Sequence, residues 1–264
     1  MPDVILIKLG GSLITDKTRP ETPRPEVIAR LAGEIARAAA RGPARLIIGH
    51  GSGSFGHVAA SRSGIAQGIR SPDQLAGVAE TQRQAAALHR QVVEALAAAS
   101  ALPFSVAPSS CIVTAGGRPV SFADGPLLLA LGRGLLPVLY GDVVLDREQG
   151  AAICSTERLF ELVAESLAEH GRTVRRAIWL GETDGVYDKD GHTLPRLSAA
   201  DFEDAAQAIG GSAGTDVTGG MRHRVETALA LSRLGIPSWV ANGLTPGLLE
   251  RAVAGERVPG TEVL

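Results

Sequence analysis

The sequence predicts an α/β fold built on a mainly parallel sheet. Two observations carry this. Apolar strand-like runs alternate with helix-period segments along the whole chain, as in βα units. Four of those runs also end in polar, glycine-rich turns: KLGGS (8–12), GHGSGSFGH (49–57), YGDVV (140–144) and GETDGVY (181–187). An open parallel sheet binds its ligands at the carboxyl ends of its strands, so the four turns are expected to converge on one cleft.

The elements follow in order. Val4–Leu9 is an apolar strand interrupted only by Lys8. Residues 25–41 place Val27, Ile28, Leu31, Ile35 and Ala38 on one helical face. Leu46–Ile48 is a second buried strand. Ser71, Pro72 and Gln74 stand at the N-cap, first-turn and capping-box positions of a long helix reaching about Ser100. Leu102–Ala107 and Leu135–Tyr140 read as strands, and Gly116-Gly117 between them marks a hairpin. Val143–Leu145 and Ala151–Ile153 form a second hairpin. A helix follows from about Thr156 to His170, then the strand Arg176–Leu180. Ser198 with Asp201 marks a helix start, and 210–220 is a Gly/Ser/Thr loop long enough to carry function. Residues 221–235 form a helix, Ser238–Ala241 a strand, and Thr245-Pro246 opens the last helix. With no repeat and no linker, residues 1–264 read as one domain with a soft lobe boundary near residue 171.

Composition narrows the function. The 264 residues are 45% hydrophobic and 20% charged, with a net charge of −2. That balance argues against a nucleic-acid or membrane surface, so basic residues of interest act locally. No apolar run reaches the roughly 18 residues of a spanning helix. The N-terminus MPDVILIKLGG lacks a basic leader, so no signal peptide is expected. Cys111 and Cys154 fit no metal or redox spacing and are read as buried thiols in a reducing cytoplasm.

The turns carry the chemistry. Gly10 and Gly11 let backbone N–H groups approach an anion. Lys8 sits inside an apolar run, where an ammonium is costly unless an anion meets it. The spacing of Gly51, Gly53 and Gly56 matches a dinucleotide fingerprint, but two features oppose that reading. The loop follows the second strand, and the acidic residues at the right distance, Asp73 and Glu80, lie at the start of the Ser71 helix. His57 closes the loop at the entry to a helix, where it can add a donor to an anion site. His50 is read as capping or packing. Further on, TDVTGGMRHR (215–224) joins Gly219 and Gly220 to Arg222 and Arg224, donors that suit a polyphosphate.

Taken together and in order, these motifs resemble the amino acid kinase family. Its pattern is K-x-G-G-S on the first strand, a glycine-rich turn on the second, a D-G-V-Y turn, and T-G-G-M followed by basic residues. Within the family, KLGGSLITDK, HGSGSFGH with its closing histidine, YGDVV and DVTGGM are similar to members that phosphorylate isopentenyl monophosphate with ATP. The resemblance implies helices sandwiching an open sheet, Mg2+ as cofactor and a homodimer. It implies acceptor binding over about 1–170 and ATP over about 171–264.

The resemblance also implies roles. Lys8 and Lys17 hold the transferring phosphoryl group, and Asp142 orients both by charge pairing. Gly10, Gly11, Ser12 and Ser52 lie at the ATP phosphates. Gly51, Gly56 and His57 bind the acceptor phosphate, with Thr156 on the acceptor side. Thr183, Asp184, Gly185 and Tyr187 lie near the nucleotide, with Gly220, Arg222 and Arg224. The two arginines stand where the family often has lysine, and Ser52 where it often has a third glycine. The acceptor tail is expected against the Ser71 helix, on a face formed by Val78, Thr81, Ala85 and Leu88. Several are small, which implies room for chains longer than five carbons. A small phosphonate of the fosfomycin type, or nucleotide binding without transfer, remain alternatives.

Overall fold

The computed structural model describes residues 2–202 and 220–264. Most of the Gly/Ser/Thr stretch 210–220, including Thr215–Gly219, lies outside the described residues. In chain order the elements are β1 (Val4–Leu9), α1 (Gly11–Ile14), α2 (Pro25–Arg41), β2 (Arg45–His50), α3 (Gly53–Ser63) and α4 (Leu75–Ala98). There follow β3 (Pro103–Ser105), α5 (Pro108–Cys111), β4 (Ile112–Ala115), β5 (Arg118–Phe122), α6 (Gly125–Arg133), β6 (Leu136–Tyr140), β7 (Asp142–Asp146) and β8 (Gly150–Cys154). The rest are α7 (Thr156–Glu169), β9 (Val174–Gly181), β10 (Arg196–Leu197), α8 (Gly220–Arg233), β11 (Ser238–Asn242), α9 (Leu248–Ala254) and β12 (Thr261–Val263).

Eight strands form the main sheet in the order β10-β12-β11-β9-β1-β2-β6-β3. The six from β11 to β3 are parallel, and β12 runs antiparallel to β11, with the short β10 beyond it at the edge. From β1 the chain moves to β2 on one side, whereas β9 lies on the other. Such a reversal opens a crevice at the strand ends.

The alternation of side chains along β1 sorts the layers. Ile5, Ile7 and Leu9 join a core with Leu31 and Ile35 of α2, Leu88 and Val92 of α4 and Leu249 of α9. Val4 and Leu6 join the opposite core with Leu131 of α6, Phe160 and Val163 of α7 and Val225 of α8. The molecule is therefore a three-layer sandwich. Lys8 shares the parity of Val4 and Leu6, which directs it toward α7. The long helix starts as expected: Gln74 Oε1 accepts from Ser71 N–H at 3.2 Å, ahead of α4. Ser198 Oγ donates to Asp201 at 2.6 Å.

The two expected hairpins are present, and they merge. β4 pairs with β7 in parallel, giving a second sheet of order β5-β4-β7-β8. Gly116 and Gly117 both have positive φ, 56° and 75°, as a two-residue hairpin turn requires. The Asp146 carboxylate accepts from the N–H groups of Gly116, Gly117, Glu148 and Gln149 at 2.8–3.1 Å. One side chain thus ties both hairpin turns together. Asp146→Ala is expected to cost about 2 kcal/mol of stability, read from chemical denaturation.

Candidate active site

Strand register brings the glycine-rich turns to one level. Leu9 pairs with His50 on one side and Leu180 on the other, and His50 pairs with Tyr140. The turns after β1, β2, β6 and β9 therefore leave the sheet side by side and enclose one cleft of about 300 Å3. Lys8, Gly11, Ser12 and Lys17 line it from the first turn, and Gly51, Ser52, Gly56 and His57 from the second. Asp142 comes from the third, Thr183 from the fourth, and Gly220 and Arg224 from α8.

The first two turns interlock through their glycines. A Cβ on Gly11 would stand 2.8 Å from the Gly53 nitrogen, and one on Gly51 would stand 2.9 Å from the Gly11 nitrogen. Backbone packs directly on backbone here, which only glycine permits. Thr15 locks the pair: its hydroxyl donates to the Gly11 carbonyl at 2.7 Å and accepts from Ser54 N–H at 3.0 Å. The interlock sets Gly51 and Ser52, just ahead of α3, and Gly56 and His57 within it along the cleft wall.

Charged side chains crowd the cleft. Lys8 is 5% exposed and forms a buried ion pair with Glu157 of α7. This corrects one expectation: the carboxylate that meets Lys8 is Glu157, not Asp142. Asp142 is occupied elsewhere, accepting from Ser109 N–H at 3.3 Å and Val143 N–H at 2.9 Å. Burial raises the Asp142 pKa above the usual carboxylate range. Burial also lowers the Lys8 pKa against the attraction of Glu157, and the nearby charges of Arg224 and Lys17 lower it further. Glu157 is held down at about 2: Lys8 and Arg224 together outweigh its own burial. Lys8, Lys17 and Arg224 share the cleft with Glu157, Asp142 and Glu182, and cations held this close can meet an anionic ligand.

His57 stands in the second turn of α3 with its ring open to the cleft. Burial by the walls, and then Lys17, lower its pKa, so near neutrality it offers an N–H rather than a charge. His50 packs, as expected. Thr156 lines the cleft, but its hydroxyl donates to the His50 carbonyl at 2.6 Å.

Other expected residues divide. On the tail face, Thr81 and Ala85 line the cleft. Val78 instead packs on a small cluster with Ile65 and Val143, and Leu88 belongs to the main core. Of the two arginines, Arg224 reaches the cleft beside Gly10 and Gly181. Arg222 pairs with Glu226 at 2.9 Å on the exposed face. In the GETDGVY turn, Asp184 accepts from Asn242 at 2.9 Å, and its N–H donates to the Tyr187 hydroxyl at 3.2 Å. A Cβ on Gly185 would strike Thr261 Oγ1 at 2.5 Å. These three residues shape the turn, and among the described residues they do not line the cleft.

Glu157, Ser155 and His223 are cleft residues that the sequence reading passed over. Ser155 caps α7 by accepting from Arg158 N–H at 3.2 Å, and it lies 3.0 Å from His223 Nε2. The signal available was Ser-Thr-Glu at a helix start, which reads as ordinary capping. Both cysteines are free: Cys154 is buried and Cys111 half-buried. Among the described residues no helix is long and apolar enough to cross a membrane.

Comparison with known proteins agrees with this geometry. The model of the amino acid kinase family matches residues 3–242. The isopentenyl phosphate kinase of Methanothermobacter thermautotrophicus is 35% identical over 272 residues, covering 98% of each chain. That of Haloferax volcanii is 37% identical over 267 residues, again covering 98% of each. A crystal structure of isopentenyl phosphate kinase superposes with a TM-score of 0.84 at 31% identity, covering 99% of this chain and 100% of the other. From its first strand to the end of β11, the chain belongs to the amino acid kinase family.

Proposed function

We propose that the cleft transfers the γ-phosphoryl group of ATP to isopentenyl phosphate. An oxygen of the acceptor phosphate attacks the γ-phosphorus, the bond to the β-phosphate bridging oxygen breaks, and isopentenyl diphosphate and ADP result. The observation that carries this is the convergence of interlocked glycine turns with Lys8, Lys17, Arg224 and His57 in one cleft. Phosphoryl transfer depends on positioning and charge stabilisation, and the cleft supplies both. A phosphate monoester has a second pKa of about 6, so the acceptor is already a nucleophile near neutrality. Donors suffice around it, and no general base is required.

In this reading Lys8 and Lys17 hold the transferring group, and Glu157 fixes the Lys8 ammonium. His57, Gly51 and Gly56 hold the acceptor phosphate. Gly10, Gly11, Ser12, Ser52, Gly220 and Arg224 lie toward ATP, with Thr183 at the nucleotide side. Among the described residues no group of three or more His, Cys, Asp or Glu side chains forms a metal cage. The Mg2+ that the family resemblance implies would be carried mainly on the ATP phosphates, where it would neutralise their charge. The acceptor side spans about 1–170 and the nucleotide side about 171–264. Unpaired thiols support a cytoplasmic setting, and the family resemblance supports a homodimer.

His57→Ala tests the acceptor clamp. Loss of a hydrogen bond to a charged group should raise KM for isopentenyl phosphate about 10- to 100-fold, with KM for ATP little changed. An equal rise in both constants would remove His57 from the acceptor side. The tail pocket is tested by supplying geranyl phosphate beside isopentenyl phosphate. With Thr81, Ala85 and Ala60 as walls, slower but measurable turnover is expected. Complete inactivity on the longer chain would show a pocket closed at five carbons.

A further inference from the structure

Two imidazoles lie behind the second glycine-rich turn, and the transfer itself gives them no task. His50 ends β2 and is 0% exposed, and His89 of α4 is 5% exposed. His50 Nδ1 lies 3.1 Å from the Gly51 carbonyl oxygen, and His50 Nε2 lies 3.0 Å from His89 Nδ1. His89 Nε2 lies 2.6 Å from Ser105 Oγ, at the end of β3. Tyr140 stacks on both rings, its centroid 4.1 Å from that of His89 and 5.8 Å from that of His50.

The carbonyl fixes the direction of this chain. A carbonyl oxygen only accepts, so His50 Nδ1 carries the proton. In a neutral imidazole the other nitrogen then accepts. His89 Nδ1 therefore donates to His50 Nε2, and the Ser105 hydroxyl donates to His89 Nε2. Burial keeps both rings neutral, pushing His50 down to about 4 and His89 to about 3. Every donor along the line meets an acceptor.

The peptide plane carries the effect into the cleft. In a trans peptide the C=O and the following N–H point in opposite directions. Holding the Gly51 carbonyl toward His50 turns the Ser52 N–H away from it. Gly51 and Ser52 both line the cleft, and among the described residues the Ser52 N–H donates to no protein acceptor. The frame is rigid, because the His50 carbonyl accepts from Gly141 N–H at 2.9 Å and from Thr156 Oγ1 at 2.6 Å. Glycine at 51 leaves this peptide free to rotate unless something holds it.

We propose that His89, backed by Ser105, is a positioning residue: by donating to His50 Nε2 it reinforces the Nδ1–H tautomer that the Gly51 carbonyl requires, and so holds the Gly51 peptide with Ser52 N–H presented to the phosphate in the cleft. With the tautomer reversed, a nitrogen lone pair would face the Gly51 carbonyl, and the peptide would turn. The inference rests on the phosphate-transfer reading above.

Nitrogen-15 NMR of histidine-labelled protein reads the tautomer directly, without substrate. Wild type should show neutral His50 protonated at Nδ1, and His89→Leu should lose that signature. Kinetically, His89→Leu should lower kcat about 100-fold, the scale of one misplaced backbone donor, with a smaller change in either KM. His89→Asn, whose amide can donate from near the Nδ1 position, should recover most of the rate and the tautomer. An Nε2–H tautomer at His50 in wild type overturns the inference. So does His89→Asn impaired as deeply as His89→Leu, or His89→Leu at wild-type kcat. If His89→Leu does not fold, the wild-type and His89→Asn spectra decide. Inactivity of wild type on isopentenyl phosphate would sink the functional reading instead, and the spectrum separates the two failures.

Discussion

Lys17→Ala is expected to lower kcat by about 100- to 1000-fold, the range for removing one preorganised transition-state donor. Lys17 is exposed at the mouth of the cleft, within electrostatic reach of Lys8 and His57. An exposed side chain contributes little to stability, so the thermal midpoint should move little. Steady-state kinetics beside a melting curve separate the two effects. A variant that keeps its rate would take Lys17 out of the transfer step. Lys8 offers no such clean test, because its removal would strand Glu157 in the interior.

Glu157→Gln is expected to act on both stability and catalysis. The substitution keeps the shape and leaves Lys8 buried without an opposing charge. Breaking a buried pair from one side costs about 3–5 kcal/mol. The pH dependence has a definite sign. In wild type, Glu157 sits at about 2 in the fold against its ordinary 4.5. Its stabilising contribution is present above pH 4.5 and is lost as pH falls toward 2. In the variant that loss disappears. Lys8 is instead held below its ordinary 10.5 with no partner. The unfolded chain then binds more protons than the fold, so the variant should gain stability as pH rises toward 10.5. Phosphate restores a counter-ion, so ATP should raise the melting temperature of the variant more than that of wild type. A smaller shift in the variant would mean that the Lys8 charge does not meet the nucleotide.

The framework was legible because it rests on local pattern. Strand and helix periods placed the sheet, and the turns after β1, β2, β6 and β9 announced a common edge. Lys8 inside an apolar strand correctly signalled a buried counter-anion. Its identity was not legible: Glu157 lies 149 residues away in sequence and looks like a routine first-turn acid. Arg222 and Arg224 were equivalent in the sequence. Two residues apart on a helix means roughly 200° of rotation, so only one faces the cleft. The merging of the two hairpins was hidden for a similar reason. The β4–β7 pairing joins strands some thirty residues apart, as in Val113 with Leu145, and no turn signal encodes it. Val78 fell on the expected helix face, but Ile65 and Val143 cover it.

Phosphorus-31 NMR of the protein with ATP, Mg2+ and isopentenyl phosphate tests the central claim most directly. Direct transfer predicts that the acceptor monophosphate signal is replaced by the two coupled signals of a diphosphate, one per ADP formed, with no free phosphate. ADP accompanied by inorganic phosphate, with the acceptor signal unchanged, would contradict the account.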